Sequence, residues 1–194
     1  SGGFLDRMRI YTAEMYPVPI RLLSSALLYG SFVTILGRMH GSTGNLIAVH
    51  FLIGSTSVVF LLLLLRLMDE LKDKEIDLKL FPDRPLPSGR ILESDIWLSL
   101  AAVTVIYVFL NIWAGGALWM ALAVLAYSWL MFKFFFIPGV LRRSLLLTLA
   151  THNPIIPIMF GYLVALFMYQ QSVSWADLDG ISSTLLVMQY WWML

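Results

Sequence analysis

Long apolar runs separated by short polar breaks dominate the chain, approximately over Val18–Leu36, Leu46–Met68, Ile96–Trp113, Ala117–Ile137 and Leu145–Tyr169. Each is close to the ~20 residues that a helix needs to cross a hydrocarbon layer about 30 Å thick. A transmembrane strand would alternate apolar and polar residues, and Leu61-Leu62-Leu63-Leu64-Leu65 does not alternate. In lipid each backbone donor and acceptor has to be satisfied within the segment, so the pattern predicts helices. A further apolar run, the 14 residues Ile181–Leu194, is expected to begin a sixth span of a longer chain. The predicted fold is therefore an all-α integral membrane bundle. It has five complete spans plus the start of a sixth, and residues 1–194 form one transmembrane domain.

Composition agrees with that pattern. Hydrophobic residues make up 59%, charged residues 13%, and the mean hydropathy is +0.81, whereas an ordinary soluble domain carries about 25% charge. A net charge of +1 argues against a nucleic-acid-binding surface. With no cysteine there are no disulfides, thiolate metal sites or cysteine nucleophiles. Twelve of the thirteen basic residues fall in the N-terminal segment, between spans 2 and 3, or between spans 4 and 5; Arg38 alone lies opposite. That bias predicts a cytoplasmic location for the large polar interruption, residues 66–95.

Eight of the twelve acids lie in this interruption. If the second span continues as a helix at about 100° per residue, Asp69, Glu70, Asp73 and Asp77 share an arc of roughly 100°. Glu75 falls on the other face, within reach of Lys72 and Lys79 for ordinary helical pairs. Crowded carboxylates repel, and more strongly near a low-dielectric boundary. Protonation or a bound cation relieves the repulsion. An all-oxygen ligand set favours a hard cation such as Mg²⁺, which completes its shell with water and substrate phosphate. A solvated helix end is the bland alternative.

The segment Asp69-Glu70-Leu71-Lys72-Asp73-Lys74-Glu75-Ile76-Asp77, followed by Arg84-Pro85-Leu86-Pro87-Ser88-Gly89, resembles the first signature of the UbiA superfamily of intramembrane prenyltransferases. That signature is N-D-x-x-D-x-x-x-D followed by R-P-L-x-S-G; here Asp69 stands at the Asn and Glu70 at the first Asp. Tyr127-Ser128 and Lys133 are reminiscent of the end of the family's fourth helix. The resemblance implies nine transmembrane helices around a cavity open to the cytoplasm. It implies Mg²⁺ held by two acidic motifs, the second following helix 6, beyond this chain; the chain alone is not expected to turn over. The implied reaction transfers a prenyl group from an isoprenyl diphosphate to a lipophilic acceptor within the membrane.

Carried over residue by residue, the resemblance makes Asp73 and Asp77 catalytic and Asp69, Glu70, Asp73 and Asp77 metal ligands. Arg84, Arg66 and Lys133 are the candidates for diphosphate binding. His152 and Asn153 interrupt an apolar span, and polar residues at membrane depth mark functional sites. They are candidates for the acceptor cavity, although a hydrogen bond beside the expected Pro154 kink accounts for them equally. The CDP-alcohol phosphotransferases are a poor match, since D-G-x-x-A-R is absent. A non-catalytic subunit of the same fold, binding lipid or pigment in a larger membrane assembly, is the alternative.

Overall fold

A computed structural model describes residues 2–39, 48–114, 117–141 and 143–174. The expected sixth span, with Tyr190, Trp191 and Trp192, lies outside the described residues, as does Arg142. The fold is all-helical: α1 Phe4–Glu14, α2 Val18–Met39, α3 Ala48–Lys72, α4 Lys74–Leu80, α5 Glu93–Trp113 and α6 Leu118–Phe132. A 3₁₀ turn Phe134–Phe136 follows, then α7 Pro138–Leu141, α8 Leu145–His152 and α9 Ile155–Gln171.

Among the described residues, four helical segments can cross a membrane by length and composition, namely α2, α3 from Val49, α5, and the α8–α9 run Leu145–Gln171. The chain thus has a multi-pass membrane arrangement. The fourth expected span is shorter than its apolar run. α6 has 15 residues, about 22 Å of helix, and ends where Phe134, Phe135 and Phe136 take φ values of 49°, 51° and 62°. Side chains crowd the backbone in that left-handed region, so hydropathy alone hid the stop. The α8–α9 break falls at Asn153-Pro154, because a proline inside a helix lacks its N–H and collides with the preceding turn. The Thr151 carbonyl at this kink accepts a hydrogen bond from Tyr127 Oη at 2.7 Å.

Two buried clusters hold the bundle. The first joins Tyr29 and Phe32 of α2, Val58 and Leu61 of α3, Tyr107 of α5, Val124 of α6 and Tyr162 and Leu166 of α9. Its polar knot is Asn111. That side chain donates to Ser57 Oγ at 3.1 Å and to the Tyr107 carbonyl at 2.8 Å, and accepts from Tyr162 Oη at 2.8 Å. A buried amide in an apolar bundle needs such partners. The second cluster lies beneath the polar interruption, where Tyr11 and Tyr16 meet Leu64, Leu67 and Met68 of α3, Leu86, Ile91, and Ile96 and Leu100 of α5.

Candidate functional site

At one end of the bundle α1, residues 66–95 and the start of α8 come together. α3 runs unbroken to Lys72, so Asp69 and Glu70 stand on its last turn. At Asp73 (φ −97°, ψ 7°) the helix breaks, and α4 starts afresh with Asp77 in its first turn. The backbone still turns tightly there: Asp73 N–H donates to the Asp69 carbonyl at 2.9 Å and Asp77 N–H to the Asp73 carbonyl at 2.8 Å. The four acids therefore do not share one continuous helical arc.

Their surroundings differ as well. Glu70 is 1% exposed and forms an ion pair with Arg66 one turn earlier. Asp77 is 6% exposed, and both its oxygens lie 2.9 Å from Arg84 Nη1. Asp69 is exposed, and Asp73 lines a cleft on the other side of the helix break. Among the described residues no group of three or more acids and histidines is arranged to hold a metal ion. This overturns the expectation of Mg²⁺ on Asp69, Glu70, Asp73 and Asp77. The arc calculation continued a helix that stops, and it left unpaired two carboxylates that guanidinium groups occupy.

The Arg84–Gly89 segment is a compact turn that fixes Arg84. Ser88 N–H donates to the Arg84 carbonyl at 3.0 Å, and Ile91 N–H to the Pro85 carbonyl at 3.1 Å. Pro85, Leu86 and Ile91 are buried. Gly89 has φ +72°, a conformation open to glycine without steric cost. The Arg84 guanidinium also sits 3.9 Å from the centre of the Phe81 ring, which orients its planar fork.

α1, which the apolar pattern did not reveal, is tied over this turn at both ends. Arg7 binds both oxygens of the buried Asp95, at 2.6 and 2.8 Å. Arg90 reaches both oxygens of Glu14, one at 2.8 Å, and donates to the Asp83 carbonyl at 2.6 Å. Hydrogen bonding from Arg90 holds the Glu14 carboxyl below the ordinary carboxylate range. A carboxyl with a lowered folded-state value contributes its tie above its unfolded value, near 4.3, and loses it as pH falls through the lowered one. Limited proteolysis should thus find the α1 end protected at pH 7 and cut faster near pH 3, and Glu14→Gln should remove much of that difference.

Between the ties lies Tyr11, 0% exposed. Its hydroxyl faces Arg66, Glu70 and Asp69; burial first, then the two carboxylates, pushes its pKa up. Tyr16 donates to the Val59 carbonyl at 2.7 Å, and burial raises its pKa to about 12.

A cleft of about 630 Å³ opens beside the helix break, lined by Lys72, Asp73, Ile76, Phe134, Arg143 and Thr148 among others. His152 stands behind its wall. Lys72 Nζ lies 2.7 Å from His152 Nε2 and 4.4 Å from the centre of the Phe134 ring. Nδ1 of His152 lies 2.8 Å from the Thr148 carbonyl, so Nδ1 donates there and Nε2 accepts from the ammonium. Among the described residues no ion pair joins Glu75 to Lys72 or Lys79 as expected; Lys72 turns to His152 instead. Asn153 caps α8 with its backbone. Lys133, expected near diphosphate, is exposed, with its ammonium 4.8 Å from the centre of the Phe132 ring and no ion pair among the described residues. Lys72, which the sequence placed only as a helical neighbour of Glu75, and Arg143, one of the basic residues between spans 4 and 5, both line the cleft.

No family model, no curated protein and no solved structure matches this chain.

Proposed function

We propose that this chain forms the membrane-embedded head-binding region of an enzyme that transfers a prenyl group from an isoprenyl diphosphate to a lipophilic acceptor. One observation carries the reading. Two arginines at the membrane edge, Arg66 just ahead of the segment that resembles the UbiA signature and Arg84 inside it, are each held by a buried carboxylate of that segment. A guanidinium oriented in this way keeps further N–H donors for phosphate oxygens. In this reading Glu70 and Asp77 position the arginines. In the reaction, the allylic C–O bond breaks with its electron pair leaving on the diphosphate. The acceptor bonds to the allylic carbon and gives up a proton. Asp73, the one acid of the four that lines the cleft, is our choice for the base that accepts it. The cleft volume suits a small lipophilic acceptor, and the basic bias supports a cytoplasmic opening.

The test uses the full-length protein in nanodiscs with farnesyl or geranylgeranyl diphosphate and a panel of lipophilic acceptors. Wild type should release diphosphate. Arg84→Lys, which keeps the charge opposite Asp77 but loses the fork, should lower kcat/KM by about tenfold or more. No release from any donor, or unchanged kinetics in the variant, would remove the proposal. A second reading, a non-catalytic lipid- or pigment-binding subunit, is favoured by the pairing already formed at both buried carboxylates. It predicts lipid binding without diphosphate release.

A further inference from the structure

The hydroxyl of Tyr11 presents an unsolved valence. The side chain is completely enclosed, yet its oxygen makes no hydrogen bond of regular geometry with any described residue. Its charged neighbours are Glu70, which acts on it through its charge without making a hydrogen bond, and Arg66, the one side chain directed at its oxygen as a donor. Arginine only donates hydrogen bonds. It can satisfy the phenol oxygen, but it offers nothing to the phenol hydrogen. A buried donor without an acceptor is costly, and natural proteins rarely leave one. The phenol keeps its proton at neutral pH, because burial and the adjacent carboxylates oppose ionisation.

We propose that the Tyr11 hydroxyl is a substrate-binding donor that, together with Arg66, closes on one non-bridging oxygen of the isoprenyl diphosphate. This inference rests on the diphosphate reading above and adds to it a residue from outside the signature segment. The chemistry matches on both sides. A phosphate oxygen accepts from the phenol and from the guanidinium at once, which relieves the orphaned hydrogen and uses a donor that Glu70 leaves free. The placement is firm, because α1 is tied on either side of Tyr11, by Arg7 to Asp95 and by Glu14 to Arg90. The ring itself packs among Leu64, Leu67, Met68 and Ile91, so the donor is pre-organised before any ligand arrives.

Tyr11→Phe in the full-length protein tests this, since it removes one hydroxyl and keeps the ring. Two readouts are needed: the melting temperature without ligand, and the Kd for inorganic pyrophosphate and for farnesyl diphosphate. A hydroxyl reserved for ligand predicts a ligand-free melting temperature equal to or above that of wild type. It also predicts binding of both probes weakened by about tenfold or more, the usual effect of losing a hydrogen bond to a charged group. An unchanged Kd overturns the inference and leaves the diphosphate reading standing. A lowered ligand-free melting temperature also overturns it, because the hydroxyl then serves an acceptor within the protein. If wild type binds neither probe, the underlying reading fails.

Discussion

Replacing Arg66 with alanine will destabilise the ligand-free protein by about 3 kcal/mol, near the lower end for a broken buried ion pair. The loss comes from the partner left behind. Glu70 is almost fully buried, and without the guanidinium its charge is uncompensated in a low-dielectric setting. The estimate stays at the lower end because Arg66 is 28% exposed, so water screens part of the pair. Thermal unfolding in detergent, followed by tryptophan fluorescence, measures the effect. The decisive companion is the double variant Arg66→Met, Glu70→Leu. Exchanging both charges for apolar groups of similar volume is often neutral or stabilising, so this variant should regain most of the lost stability while still failing to bind diphosphate. Equal destabilisation by the single and double variants would show that the pair holds the fold by packing rather than charge.

Gly54→Ala should cost about 2 kcal/mol, although alanine is the better helix former. A Cβ at Gly54 falls inside the van der Waals envelope of the Tyr29 ring. That ring is buried, rests against Phe51, and donates its hydroxyl to Gln170, whose amide donates in turn to the His50 carbonyl at 3.1 Å. It cannot step aside without breaking this chain. Overpacking at about 3 kcal/mol outweighs the gain of about 1 kcal/mol in helix propensity. The melting temperature should fall by roughly 4–8 °C on the usual scaling for chains of this size. Tyr29→Leu in the Gly54→Ala background should recover part of it, and additive losses in that cycle would show that the two sites do not touch.

The helices that cross the apolar layer were readable because their runs are long and unbroken. The small residues Gly54-Ser55-Thr56-Ser57 are of the kind that lets helices approach closely, and Gly54 under Tyr29 and Ser57 beside Asn111 provide that approach. The stop after α3 was not readable, since Leu71-Lys72-Asp73-Lys74-Glu75 contains no glycine or proline. The carboxylate arc inherited that error. The Arg66–Glu70 pair has ordinary i,i+4 spacing and was open to inspection; Arg84 reaching back to Asp77 across a turn was not. α1 escaped notice because a short, charged helix has little apolar periodicity, and its register comes from Asp95 and Arg90, far along the sequence.

The brevity of α6 has a consequence for the surrounding lipid. It offers about 22 Å of helix to a hydrocarbon layer about 30 Å deep, and the exposed Phe136 and Ile137 prolong its apolar girdle only slightly. Set across such a layer, α6 would make the acyl chains beside it shorten or splay to follow the protein, and would draw the headgroup plane inward next to Phe134 at the cleft wall. An amphiphile drifting along that leaflet would meet the protein where its own polar end already sits deepest.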